Sequence, residues 1–216
     1  MEEQILCFKR EILRAYPAKT FYDENLWHQL LAHLEPKARS VAEHDYDTKQ
    51  LVVYVLINHE QTFLSYQRTP KTAETRLKAL YSIGIGGHVN VDDQMQPTLF
   101  GANEAAWKDF VLKAVRREVS EEVQIEWANA EEPRLICFVN DDSNEVGKVH
   151  FGVVFMVKLG NPSVAMRGER GIGKLSFRTL PELISMRDTM ETWSQLLVDF
   201  LARESSAWQE RLGPST

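Results

Sequence analysis

Two neighbouring runs constrain the fold most: residues 51–58 (LVVYVLIN) and 62–68 (TFLSYQR), separated only by His59-Glu60-Gln61. Both are rich in β-branched and aromatic side chains, and a three-residue polar gap between such runs reads as a hairpin. Around this pair the hydrophobic period changes repeatedly. Upstream, DENLWHQLLAHL (23–34) sets Leu26, Trp27, Leu30, Leu31 and Leu34 at helical spacing behind a capping Asp23, and Pro36 closes the helix. Residues 81–89 form a third strand that ends in Gly86-Gly87, followed by a polar loop containing Asp92, Asp93 and Pro97. From about Asn103 to Glu122 the period is helical again, with Trp107, Phe110, Val111, Ala114, Val115 and Val119 on the apolar side. RLICFVN (134–140) and VHFGVVFMVKL (149–159) are strands joined by the acidic turn DDSNEVGK, and GKLSFRTL (173–180) is another. Residues 179–182 and 188–191 each carry the capping-box pattern. The second opens a helix striped by Trp193, Leu196, Leu197, Phe200 and Leu201. The order helix, strands, helix, strands, helices predicts an α/β (α+β) fold, a mixed sheet sandwiched between helices.

Composition narrows the function classes. A chain of 216 residues can bury a substantial core. Its net charge of −6, with no concentrated basic segment, argues against a nucleic-acid polymer as partner. No apolar run reaches the roughly 18 to 20 residues a membrane helix needs. In MEEQILCFKR the acids precede the apolar residues, the wrong order for a secretory signal. Cys7 and Cys137 lack CxxC spacing and read as buried thiols, which points to a reducing, cytoplasmic setting.

The chemistry concentrates in Arg117-Glu-Val-Ser-Glu-Glu122. On a helix, Glu118, Glu121 and Glu122 stand at i, i+3 and i+4 and share a face. Carboxylates about 4 Å apart repel by roughly 4 kcal/mol per pair at an effective dielectric near 20, before screening. A hard divalent cation such as Mg²⁺ or Mn²⁺ removes that conflict and pairs with substrate phosphates. A solvated acidic helix face explains the same residues without a metal, since Glu favours helices.

This segment resembles the centre of the Nudix box, G-x5-E-x7-R-E-U-x-E-E-x-G-U with U aliphatic, and Ile125 matches its last position. The strand string IGIGGH at 83–88 is similar to that of a MutT-like group of predicted phosphoesterases. Counting back from Arg117 puts Asp109 at the first acid of the box and Asn103 at its glycine. With Gly87 as the glycine instead, thirty residues separate it from Arg117 against fourteen in the box, which places an insertion near 88–103. Gln124 stands where the box has its second glycine. The resemblance divides the chain into a helical N-terminal extension, 1–45, and a Nudix-like domain, 46–216, with C-terminal helices.

The resemblance implies an enzyme that uses Mg²⁺ or Mn²⁺ to hydrolyse a diphosphate bond in a nucleoside diphosphate-linked or related phosphorylated small molecule. Water would attack phosphorus. Glu118, Glu121, Glu122 and the Gly87 carbonyl would hold the metal, Glu121 or Glu118 would act as base, and Arg117 would orient the carboxylates. Asp109, Gln124 and the long loop suit an alternative, a non-catalytic nucleotide-sensing module on the same fold. For substrate contacts the sequence offers Arg68, Arg76 and His88, and Glu145 or Glu169 as a further acid; Tyr66 and Phe100 are candidates for base stacking. Trp and Leu on the terminal helix serve a homodimer or a core equally well. The GxxxxGK string at 168–174 is a glycine-rich turn, because Leu175 replaces the Ser or Thr of a phosphate loop and a strand-like run follows.

Overall fold

The structure, a computed structural model, describes residues 2–16, 19–69, 79–93, 104–166 and 172–204. In chain order the elements begin with β1 (Gln4–Lys9), β2 (Lys19–Phe21), α1 (Glu24–Ala32), β3 (Glu35–Ala38) and α2 (Arg39–Ala42). Then come β4 (Thr48–His59), β5 (Thr62–Arg68), β6 (Tyr81–Ser82), β7 (Gly84–His88), α3 (Glu104–Glu122) and β8 (Val123–Gln124). The remainder are β9 (Arg134–Asn140), α4 (Glu145–Val149), β10 (His150–Lys158), β11 (Ala165–Met166), β12 (Ile172–Thr179), α5 (Leu180–Ser185) and α6 (Thr192–Arg203). The fold is mixed α/β with a mostly antiparallel sheet, as the alternating periods predict. Two compact units divide the chain. The first comprises Met1–Tyr54, Gly86–Glu118 and Leu135–Phe155; the second comprises Val55–Ile85, Val119–Arg134 and Met156–Thr216.

In the first unit, β1 pairs antiparallel with β3 (Cys7 opposite Glu35) and with the start of β4 (Cys7 opposite Gln50). Residues 1–45 are therefore not the helical extension expected: α1 is present, but three strands accompany it. The cause is Ile5-Leu-Cys-Phe8, a four-residue apolar run too short for periodicity to classify, which is wholly buried as a strand. Helix α1 starts as read, with the Asp23 carboxylate accepting from the Leu26 N–H at 2.9 Å. It ends before Leu34, and Pro36 sits in β3. That position tolerates proline because, among the described residues, β3 pairs with β1 on one side alone. Strand β2 pairs with β9 (Phe21 opposite Phe138). The core is aromatic here: Phe151 meets Phe8 edge-on at 5.3 Å and stacks on Phe138 at 5.6 Å. Cys7 and Cys137 are buried free thiols, and burial pushes Cys7 up to about 12.

In the second unit, Asn58 lies opposite Phe63 and His59 opposite Thr62, so the hairpin turn is Glu60-Gln61. Glu60 takes φ 51°, and the Asn58 amide donates to the Glu60 and Thr62 carbonyls, which holds the turn. Strand β5 continues the pairing with β12 and β6. Thr179 and Glu182 form the complete capping box at α5. The second expected box, 188–191, does not form: a 3-10 turn spans Arg187–Thr189 and α6 begins at Thr192 without a side-chain cap. Glu191 is instead committed to tertiary partners, accepting from the Ser82 hydroxyl at 2.7 Å and pairing with Arg68 at 2.9 Å. Leu197, Val198, Phe200 and Leu201 of α6 are buried. Among the described residues, no helix is long and apolar enough to cross a membrane.

Candidate active site

The site is built where β7 meets α3 within the first unit. A Cβ on Gly87 would lie 1.9 Å from the Glu118 carboxyl carbon and 2.0 and 2.1 Å from its oxygens. Only a glycine lets the strand backbone approach a carboxylate this closely. Glu118 is 9% exposed and held by its helix neighbour: Arg117 Nη1 donates to Glu118 Oε1 at 2.6 Å. Arg117 also donates through Nη2 to the His88 carbonyl at 2.8 Å, so it joins the helix to the end of the glycine strand.

The strongest partner of Arg117 is Asp93, in the 3-10 turn Val91–Asp93. Nε donates to Oδ1 at 2.7 Å and Nη2 to Oδ2 at 2.9 Å, a bidentate pair. Asp93 also accepts the Asn90 N–H at 2.9 Å, which pins the turn. This carboxylate, aided by Glu118, drives the Arg117 guanidinium above its already high ordinary range, so it is permanently charged.

The pairing corrects the register of the box. Counting forward from Gly87, the G-x5-acid spacing lands on Asp93. The extra sixteen residues lie between Asp93 and Arg117, not directly after Gly87. Asp109, reached by counting backward, is exposed on α3, and Asn103 lies outside the described residues. The missing second glycine also has a physical explanation. Helix α3 passes directly into β8, where Gln124 pairs with Ala165 in extended conformation, so no left-handed residue is needed.

Helix α3 presents Glu118, Glu121 and Glu122 at one-turn spacing: Glu118 buried, Glu122 half-buried, Glu121 exposed. Among the described residues, no three His, Cys, Asp or Glu side chains gather closely enough to hold an ion by themselves. The donors at hand are helix carboxylates and the backbone at Gly87, all oxygen. That set fits a hard cation which keeps waters or substrate oxygens on its remaining positions, as Mg²⁺ does.

His88 stands beside Gly87, with Nε2 2.8 Å from Gln50 Oε1 and 3.2 Å from His150 Nε2. His150 Nδ1 lies 2.7 Å from the Val146 carbonyl and must donate to it, so its Nε2 is an acceptor. The proton between the rings is therefore assigned to His88 Nε2. Burial first, then His150, lowers His88 to about 3, and burial lowers His150 as well. His88 is thus a neutral ring turned toward Gln50 and His150, not a cation facing phosphate.

The acidic turn after β9 is more than a hairpin. Asn144 caps α4, accepting from the Gly147 N–H at 2.9 Å. Lys49, 0% exposed, donates to Asp142 Oδ1 and the Gly147 carbonyl at 2.7 Å and to the His150 carbonyl at 3.2 Å. Burial lowers its pKa. Nothing in the hydrophobic pattern marked this lysine, which stands between Thr48 and Gln50 just ahead of the apolar run 51–58. Glu145 is exposed, accepting from Tyr46 at 2.7 Å and Lys148 at 2.6 Å. In the second unit, Arg68 pairs with Glu191 and lies over the Tyr66 ring at 5.6 Å. Tyr66 is buried and donates to the Gly84 carbonyl at 2.7 Å, so it offers no open face to a base. Arg76, Phe100 and Glu169 lie outside the described residues, as does most of the GxxxxGK string; its end, from Ile172, is strand β12.

No protein-family model matches the chain. It is 29% identical to Protein YmaB of Bacillus subtilis (strain 168) over 211 residues, covering 93% of this chain and 98% of that protein. The crystal structure of Tm1382, described as a candidate Nudix hydrolase, is 27% identical with a TM-score of 0.73, covering 93% of this chain and 99% of its own. The NUDIX domain of Shewanella oneidensis NrtR, solved with ADP ribose, is 16% identical with a TM-score of 0.50, covering 76% of this chain and 89% of its own; it is similar in fold alone. The motif, the strand and helix that carry it, and a likeness to one solved structure over 93% of the chain agree: in sequence motif and in fold this chain is similar to Nudix hydrolases.

Proposed function

We propose that the protein is a Mg²⁺- or Mn²⁺-dependent hydrolase of a diphosphate bond in a nucleoside diphosphate-linked or related phosphorylated small molecule, with water attacking phosphorus. One observation carries this reading: the Glu118 carboxylate occupies the space that any side chain at position 87 would need. A helix face built only for solubility has no reason to press a glycine strand against a buried acid.

Glu118, Glu122 and the Gly87 carbonyl are the groups that would hold the metal, which when bound offsets diphosphate charge and makes water a better nucleophile. Arg117, locked by Asp93, fixes one oxygen of Glu118. Glu121, exposed on the same helix face, is the candidate to take the proton from the attacking water. The non-catalytic reading rested on Asp109, Gln124 and the long loop; the Asp93 register and strand β8 account for the first two in structural terms, and product formation decides between the readings.

The test is a screen of nucleoside diphosphate derivatives, ADP-ribose among them, with products read by ³¹P NMR. Turnover should require Mg²⁺ or Mn²⁺ and fall by about 10³ or more in Glu118→Gln and Glu122→Gln, variants that keep the fold. Ligand binding without any phosphorus-containing product would overturn the hydrolase in favour of a sensor.

A further inference from the structure

The end of the glycine strand is held by side chains that the box does not contain. Gly86 and Gly87 stand at successive positions and carry no side chain, so packing does nothing to fix the peptide that joins Gly87 to His88. That peptide is tied down from residue 88 onward. The His88 carbonyl accepts from Arg117 Nη2 at 2.8 Å, the Val89 N–H donates to the Leu51 carbonyl at 3.0 Å, and the Val89 carbonyl accepts the Leu6 N–H at 2.9 Å. The His88 ring adds a further tether, toward Gln50 and His150.

Gln50 is wholly buried, and the two ends of its amide are treated differently. Oε1 lies 2.8 Å from His88 Nε2, whereas Nε2 is buried with no hydrogen-bond partner. Turning the amide over does not help. It would make His88 Nε2 an acceptor, and two ring lone pairs would then face each other across the 3.2 Å to His150 Nε2. A buried donor left unmet costs stability, and an apolar side chain of the same length would fill the place without that cost. What the amide adds at position 50 is its grip on His88. Lys49, next in the strand, donates to the His150 carbonyl at 3.2 Å and so steadies the residue against which the His88 ring rests.

We propose that Gln50 is a positioning residue for the metal site: with His150, and through the His88 ring, it fixes the Gly87–His88 peptide beside the Glu118 carboxylate. This rests on the reading of Gly87 and Glu118 as metal ligands and adds to it a residue of β4 that touches neither. Ligands held in place before the ion arrives bind it more tightly than ligands that must be ordered by it, and the groups that orient them are part of that affinity.

Mn²⁺ titrated into the full-length protein without substrate, with the free ion read by electron paramagnetic resonance, tests the proposal alongside urea unfolding. Gln50→Met keeps the length of the side chain and removes both polar ends. It should weaken Mn²⁺ binding about tenfold while the urea midpoint stays at or above the wild-type value, because the unmet donor goes with it. His88→Leu should weaken Mn²⁺ at least as much, and His88→Gln, which keeps a donor for Gln50 Oε1, should recover part of the loss. Wild-type affinity in both Gln50→Met and His88→Leu, or a loss that only tracks a lowered midpoint, overturns the proposal. Glu118→Gln separates it from the reading beneath it. Mn²⁺ binding that Glu118→Gln removes and Gln50→Met leaves alone defeats the positioning role only. A wild-type protein that binds no Mn²⁺, or binds it equally well in Glu118→Gln, defeats the metal site and the positioning role together.

Discussion

The register of the box rests on Asp93, and removing that carboxylate tests it against the alternative at Asp109. In the structure Asp93 is 6% exposed at its side chain and makes two short bonds to Arg117, whose side chain is 28% exposed. Breaking a buried, hydrogen-bonded charge pair by deleting one partner costs about 3–5 kcal/mol; partial exposure of the arginine favours the lower end, about 3 kcal/mol. With a urea slope of about 3 kcal/mol per molar, Asp93→Ala should lower the unfolding midpoint by about 1 M. Turnover should fall further than stability alone explains, because Arg117 then loses the bidentate carboxylate that fixes its orientation toward Glu118. Asp93→Glu restores charge and acceptor, and should recover most of both. Asp109→Ala, on the exposed face of α3, should change stability by less than about 0.5 kcal/mol and leave turnover intact. Equal losses in Asp93→Ala and Asp109→Ala, or a silent Asp93→Ala, would refute the forward register.

Other expectations follow from single contacts. Gly87→Ala places a methyl within 1.9 Å of the Glu118 carboxyl carbon, so Glu118 must move; turnover should drop by about 10² or more, and near-normal turnover would contradict the placement of the site. His88 and His150 are buried and neutral, below the ordinary 6.5, while both protonate near that value when the chain unfolds. Stability is therefore fully present above pH 6.5 and declines as pH falls toward 3. The drop in urea midpoint between pH 7.5 and 5.5 should be smaller in His150→Gln, and an unchanged drop would count against the assignment. Glu191→Ala removes the buried carboxylate that pairs with Arg68 and accepts from Ser82 in the second unit and should destabilise by about 3 kcal/mol while metal-dependent turnover per folded molecule stays the same, checked by urea unfolding alongside activity.

Hydrophobic period located the elements well where it is strong: β5 and β9 run over the residues first read as strands, and α3 ends at Glu122 as expected. It failed where tertiary partners overrode local pattern. The 188–191 motif has the residues of a capping box, yet Glu191 is worth more to Arg68 and Ser82 than to its own helix start. Residues 5–8 gave too short a run to tell strand from helix, and only pairing with both β3 and β4 decides it. At the site, the acidic centre and the glycine were visible in the sequence. Asp93 was equally visible, six residues after Gly87, but counting back from Arg117 across an insertion hid it. The neutral state of His88 and the clamp formed by Lys49 depend on burial, which sequence spacing does not report.

The most direct test of a metal-assisted attack of water on phosphorus is turnover of a responsive diphosphate substrate in H₂¹⁸O with Mg²⁺, followed by mass spectrometry of the phosphate-bearing products. One phosphate fragment should carry a single ¹⁸O, and Glu122→Gln under the same conditions should form almost none of it. Products without label, or labelled product formed at the wild-type rate by Glu122→Gln, would contradict the assignment of the α3 carboxylates to that reaction.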